Sequence, residues 1–176
     1  SQKGFMLPPG LAFIAISERA YKVSEETLYP GVYFNWKSTK KSYDDDTTPW
    51  TPAVNLIVAL DASLAMLQEE GLEKVLARHK NNANLLRDGI RKMGLKLFVE
   101  DEAIASYAIT SVLPPEGVSV PDIRKTLKED YNIIVANGQN DLKDKIFRMG
   151  TLGFVSERDV LTALASLEAT INKLKK

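Results

Sequence analysis

Three positions carry side chains whose type and setting could do chemistry. Lys3 sits in Ser1-Gln2-Lys3-Gly4, where Gly4 and the small or amide neighbours leave its amine room to approach a ligand closely. An amine that can lose its proton is a nucleophile toward carbonyl carbon and a proton carrier. A lysine three residues from a chain end is ordinarily a solvated charge, so the company it keeps decides what Lys3 is for. Thr51 precedes Pro52 in Thr47-Thr-Pro-Trp-Thr-Pro52. That pair suits a helix start, with a hydroxyl cap and a proline at the first helical position, and such an end favours anions, phosphate above all. Arg148 stands against Met149-Gly150-Thr151-Leu152-Gly153. Its planar fork could hold a carboxylate, with the glycines leaving space for a ligand; the same spacing also suits an arginine that pairs a surface acid beside a turn.

Composition excludes several other chemistries. The chain has 176 residues, with 23 Lys and Arg balanced by 23 Asp and Glu, so no overall field favours nucleic acid or an anionic membrane. It has no cysteine, hence no disulfide framework, no thiol nucleophile and no Cys-based zinc site, which suits a reducing, cytoplasmic setting. A single histidine, His79, cannot by itself build a metal cluster or a Ser-His-Asp relay. Between Arg78 and Lys80, with two asparagines following, it reads as a surface residue. No apolar run approaches the roughly 20 residues of a membrane span.

The elements that must position these residues follow from periodicity and punctuation. Leu11 to Ile16, apolar and bounded by Pro8-Pro9-Gly10 and Ser17-Glu18, reads as a buried strand. Ser17 then caps a helix that Tyr29-Pro30-Gly31 stops. Lys37 to Asp46 is basic and then acidic without hydrophobic period, and reads as a loop, either a solvated connector or a mobile segment at a site. A helix from Thr51-Pro52 runs through Val54, Ile57, Val58, Asp61, Leu64, Ala65 and Leu67 to Gly71. A second long helix covers Leu72 to Met93, with Leu72, Val75, Leu76, Ala83, Leu86 and Ile90 on its apolar stripe and Gly94 after it. From Leu95 onward, short strands are expected at 95–99, 106–113, 132–136 and 145–148. Helices capped by Ser119 and Ser156 punctuate them, each serine followed three residues later by an aspartate. The order β-β-α-β-β-α is an α+β sandwich, a sheet covered on one face by helices. The change of pattern near Gly71 divides the chain into 1–71 and 72–176.

Taken in order, Ser1-Gln2-Lys3-Gly4 with Pro8-Pro9-Gly10, Thr48-Pro-Trp-Thr-Pro52, and Phe147-Arg148-Met-Gly150 with Leu152-Gly153 resemble the C-terminal half of class V aminotransferases. These are fold-type I pyridoxal phosphate enzymes. The resemblance runs the length of the chain and is nearest to the alanine or serine glyoxylate aminotransferase branch. That branch includes proteins named as the small subunit of soluble hydrogenase, although a chain without cysteine has no usual ligands for nickel-iron or iron-sulfur centres. The resemblance implies an α/β enzyme in which 1–71 ends the large cofactor domain and 72–176 is the small C-terminal α+β domain.

It also implies roles. Lys3 would form the internal aldimine with pyridoxal 5'-phosphate and shuttle the substrate proton. Gln2 would contact the cofactor phosphate, Thr51 would reach that phosphate from the neighbouring subunit of a homodimer, and Arg148 would hold the substrate α-carboxylate. Thr48 stands where some relatives carry a phosphate-binding tyrosine, and that role is not carried over. In the family, the glycine-rich phosphate cup, the stacking aromatic and the aspartate that pairs with the pyridine nitrogen all precede the lysine. The expectation is therefore a piece of a longer cytoplasmic dimeric enzyme, which moves an amino group between alanine or serine and a 2-oxo acid such as glyoxylate. The piece alone is expected to bind cofactor poorly and to be inactive. Two other readings compete: a non-catalytic interaction subunit, and a small-molecule-binding α+β module beyond Gly71.

Overall fold

A computed structural model describes residues 1–28 and 31–175. In chain order the elements are α1 (Glu18–Glu25), α2 (Trp36–Asp44), α3 (Val54–Glu70), α4 (Leu72–Lys92), β1 (Ile109–Val112), α5 (Val120–Tyr131), β2 (Ala136–Asn137), β3 (Phe147–Gly150) and α6 (Glu157–Leu174), with short 3₁₀ turns at Lys3–Phe5 and Asn140–Leu142. They form two compact units, 1–64 and 65–176.

The second unit is built on an antiparallel sheet in the order β1-β3-β2, so the strand that arrives last is central. Alternation sorts its faces. Thr110, Val112, Phe147 and Met149 are buried, whereas Ile109, Ser111 and Arg148 are half-buried and Gly150 is exposed. Leu86 and Ile90 of α4, Ile123 and Leu127 of α5, and Val160, Leu164, Leu167 and Ile171 of α6 share one core with Val112, Phe147 and Met149. Full burial of side chains such as Phe147 and Leu167 contributes about 1.5–3 kcal/mol each. Helices α4 and α6 approach closely at Gly89, where an added Cβ would lie 2.5 Å from Leu164.

The caps fall where the serines predicted them. Ser119 accepts from the Asp122 N–H at 3.2 Å, and Ser156 with Asp159 forms a complete capping box on α6. The strands are shorter than the apolar runs. Residues 95–99 contribute one bridge, Leu97 to Val112, flanked by two main-chain bonds. Helix α5 ends with Asn132 in the left-handed region (φ 54) and Ile133 N–H bonding Leu127 O, and this closure occupies residues expected to begin a strand. β2 is reduced to Ala136–Asn137, and β3 begins two residues later than expected and includes Gly150.

The first unit departs further. Leu11–Ile16 forms no strand, and its side chains from Ala12 to Ile16 are exposed; among the described residues no strand lies beside it to complete a ladder. Ser17 does cap α1, accepting from Ala20 N–H at 3.2 Å. The expected stop at Tyr29-Pro30 lies outside the described residues. The polar segment 37–46 is largely helical: Asn35 caps α2 through Ser38 N–H, and Lys40 pairs with Asp44 one turn on. α3 starts at Val54, not at Pro52. Pro52 O is taken by Val54 N–H in a tight turn, so Ala53 O is the first carbonyl to accept a helical bond. Its apolar side is not a core face in this unit, since Val54, Ile57 and Val58 are all exposed and only Ser63 is buried. Among the described apolar side chains of 1–64, Leu7 alone is buried.

Candidate functional site

Lys3 lies in a loop tied at several points. Ser1 Oγ donates to Pro8 O at 2.8 Å and accepts from Leu11 N–H at 3.1 Å, which closes residues 1–11 into a ring. Leu7 is buried, Phe5 and Phe13 pack ring against ring at 5.4 Å, and Ser63 Oγ of α3 donates to Phe5 O at 2.5 Å. Within this loop Lys3 has φ 67, a left-handed backbone that costs a residue with a Cβ about 1–2 kcal/mol. Such outliers persist where the surroundings hold them and are concentrated at functional positions. The side chain is exposed, and its amine makes no hydrogen bond or ion pair among the described residues. Gln2 and Thr51 are exposed too. Thr51 is not the cap expected of it, and Trp50 beside it stacks on Tyr33 at 5.4 Å and donates its indole N–H to Tyr33 O. The chain thus places an unpartnered amine and two exposed polar side chains in its first unit.

Arg148 belongs to the second unit. It is the second residue of β3, placed inside the central strand opposite Ser111 and Ala136 and not at a strand end. Side-chain alternation puts it on the sheet face away from the core, with Gly150. Its Nε donates to Asn137 O at 2.7 Å, while Nη1 and Nη2 make no hydrogen bond among the described residues. One edge of the guanidinium is therefore anchored, and the two terminal nitrogens are left in the planar arrangement that suits a carboxylate. Asn137 is itself held: its Oδ1 accepts from Gly138 N–H at 2.8 Å and Asp144 N–H at 3.0 Å. Gly138 has no room for a side chain, because an added Cβ would lie 1.9 Å from the main-chain Leu142 O. Gly138→Ala is expected to destabilise the unit by about 2–3 kcal/mol, measured by urea unfolding. A midpoint equal to wild type would contradict this picture of the anchor.

His79 is not a free surface residue. It is half-buried, with Nδ1 2.7 Å from Val75 O and Nε2 accepting from Gly153 N–H at 3.1 Å, a pairing that requires the ring proton on Nδ1. Arg78 Nη1 donates to Gly153 O at 2.8 Å and to Val155 O at 3.3 Å, and buried Asn82 donates to Val155 O at 2.8 Å. Glu70 grips the other side of Arg78 at 2.7 and 2.8 Å. That pairing holds the Glu70 carboxyl below its ordinary value and pushes the Arg78 guanidinium up. Neither Arg78 nor Asn82 was singled out by sequence; their spacing at i and i+4, bracketing His79, was the available signal. Among the described residues no group of three or more His, Asp or Glu could hold a metal, and no helix is long and apolar enough to cross a membrane.

A sequence model of the family described as Aminotransferase class-V matches residues 1–151. The chain belongs to the class V aminotransferase family. It is 43% identical over 174 residues to the soluble hydrogenase 42 kDa subunit of Anabaena cylindrica, covering 99% of this chain and 45% of that protein. It is 35% identical over 176 residues to the serine–glyoxylate aminotransferase of Methylorubrum extorquens, covering 97% and 44%. Among solved structures, the ureidoglycine–glyoxylate aminotransferase from Bacillus subtilis matches with a TM-score of 0.91 at 29% identity, covering 99% of this chain and 46% of that one. The alanine–glyoxylate aminotransferase from Nostoc sp. matches with a TM-score of 0.89 at 26% identity, covering 96% and 46%. The fold is that of the C-terminal part of fold-type I aminotransferases. The chain spans about half the length of the curated relatives it matches. Class V aminotransferases depend in general on pyridoxal phosphate.

Proposed function

We propose that this chain supplies the lysine and the carboxylate-binding arginine of a cytoplasmic, homodimeric pyridoxal phosphate aminotransferase. Its reaction would move an amino group between a small amino acid, alanine or serine, and a 2-oxo acid such as glyoxylate. The observation that carries the reading is Lys3: an unpartnered amine held on a left-handed backbone, in a loop tied by Ser1 and Ser63, within a chain of this family. Several relatives and solved structures are named for glyoxylate as one partner, and one relative is named a pyridoxamine–pyruvate transaminase.

The residues present suit the cofactor in kind. Lys3 offers the nucleophilic amine, and Gln2 and Thr51 offer an amide and a hydroxyl for a phosphate, Thr51 toward a second copy of the chain. When bound, pyridoxal phosphate supplies an electron sink for the substrate α-carbon. The chain's own work is then to hold and move. Lys3 Nζ would hold the cofactor, and its amine would carry the proton taken from the substrate α-carbon. Arg148 would fix the substrate by its carboxylate and so limit its orientation. We assign the cofactor side to residues 1–71 and the carboxylate side to 72–176. We further infer that these 176 residues alone do not turn over, because the other groups expected around the cofactor have no counterpart among the residues assigned here.

The test is borohydride reduction of the full-length protein with pyridoxal phosphate, followed by peptide mapping. The expected result is one labelled peptide, carrying Lys3. A label on another lysine would overturn the assignment, and no label at all, with no transamination of alanine or serine, would favour a non-catalytic interaction subunit.

A further inference from the structure

The turn that follows Arg148 is held far more firmly than its sequence would arrange. Gly150 and Gly153 bracket it, and Gly153 has φ 75, so the isolated segment would have wide conformational freedom. That freedom is removed from two sides. Thr151, buried, donates its N–H to Ala108 O at 3.0 Å and its hydroxyl to Tyr107 O at 2.9 Å. Helix α4 then takes hold of the next main-chain groups. Gly153 N–H goes to His79, Gly153 O to Arg78, and Val155 O to both Arg78 and Asn82. Three side chains within two turns of one helix thus each place a polar atom on the backbone of Gly153 or Val155. They do so five to seven residues downstream of the arginine whose free fork faces away from the core.

We propose that Arg78, His79 and Asn82 are positioning residues for the carboxylate site. By fixing the turn against α4, they hold the chain after Gly150 off the sheet face that carries Arg148, ready-made for a ligand. The proposal rests on the assignment of Arg148 to the substrate carboxylate. With the clamp intact, binding need not order the turn. With the clamp cut, the turn wanders and substrate binding must restrict it, which weakens affinity and leaves the chemistry at Lys3 untouched. Glu70 extends the device, since its two bonds to Arg78 set the direction of the guanidinium that reaches Gly153 and Val155.

The experiment uses the full-length enzyme with L-alanine and glyoxylate as probes. His79→Leu removes the acceptor for Gly153 N–H; His79→Gln keeps one, in its amide oxygen. We expect His79→Leu to raise KM for both carboxylate substrates about tenfold, equivalent to about 1.4 kcal/mol, with kcat within about twofold of wild type. His79→Gln should recover most of that loss. Amide exchange at Gly153 and Phe154 should quicken in free His79→Leu and slow again on adding substrate. A fall in Tm with KM unchanged would overturn the proposal and leave the clamp a stabilising contact. If His79→Leu does not fold, Arg78→Lys keeps a cation for Glu70 but cannot serve both carbonyls, and the same KM shift is required of it. Arg148→Leu separates the two levels. If it leaves KM unchanged, the carboxylate assignment fails and takes the clamp with it; if it raises KM while the clamp variants do not, the clamp alone fails.

Discussion

On the proposed role of Lys3, replacing it by alanine in the full-length protein is expected to lower kcat for transamination by at least about 10³-fold, since one group would supply both the nucleophile and the proton carrier. Lys3→Arg should be equally inactive. It keeps a long cationic side chain, but a guanidinium stays protonated and cannot attack a carbonyl carbon. The backbone makes a sharper version of this test available. Lys3 has φ 67, where a Cβ costs about 1–2 kcal/mol and glycine costs nothing. Lys3→Gly should therefore leave the protein at least as stable as wild type while removing activity. That opposite movement of stability and function marks a residue kept for chemistry at a cost to the fold. Thermal unfolding and steady-state rates on the same preparation read both arms. Retention of more than about a tenth of wild-type kcat in Lys3→Gly would show that the lysine is not the reactive group.

What could be foreseen from sequence depended on the range of the interaction concerned. The caps at Ser17, Ser119 and Ser156 were legible because hydroxyl, N–H and partner lie within three residues of each other. The stripe Val160, Leu164, Leu167, Ile171 was legible because helical spacing alone brings it to one face, and all four are buried. The polar helix α2 was not, since it has no apolar stripe; its signals were the cap at Asn35 and the Lys40–Asp44 pair. The strands are shorter than their apolar runs for a different reason. A strand extends only as far as a neighbour pairs with it, so β2 is cut short by the closure of α5 at Asn132, and Leu11–Ile16, with no described strand beside it, forms none.

The candidate site divides in the same way. Lys3 and Arg148 drew attention through side-chain chemistry and neighbouring glycines, which are local properties. His79 reads as a surface residue in sequence because Gly153, whose N–H it accepts, lies 74 residues away. The polar neighbours that made it look solvated, Arg78 and Asn82, are the groups that bind the same turn. Polar residues on one helix face can be directed at a backbone as well as at water, and composition does not distinguish the two.

Arg148→Leu is expected to lower kcat/KM for alanine and glyoxylate by about 10²–10³-fold. A hydrogen bond to a charged group contributes about 1.5–3 kcal/mol, and Nη1 and Nη2 together can offer two parallel bonds to one carboxylate. Nε is already committed to Asn137 O, so the fork does not have to be ordered when substrate arrives, and little of that gain is lost to entropy. The same anchor explains why lysine is a poor substitute. Arg148→Lys keeps the charge but gives up both the tie to Asn137 and the planar pair of donors, and an intermediate loss of about 10–100-fold is expected. A general collapse of the second unit would weaken every substrate alike. Loss of a carboxylate contact would instead penalise alanine while leaving the slow reaction of an amine without a carboxylate, such as ethylamine, nearly unchanged. The ratio of the two rates is thus the decisive measurement: it should fall with kcat/KM in Arg148→Leu and stay at the wild-type value in Gly89→Ala, which crowds the α4–α6 packing at Leu164 and leaves the Arg148 anchor alone, at temperatures where that variant is folded. A ratio that does not fall in Arg148→Leu would mean that the open face of β3 binds something other than the substrate carboxylate.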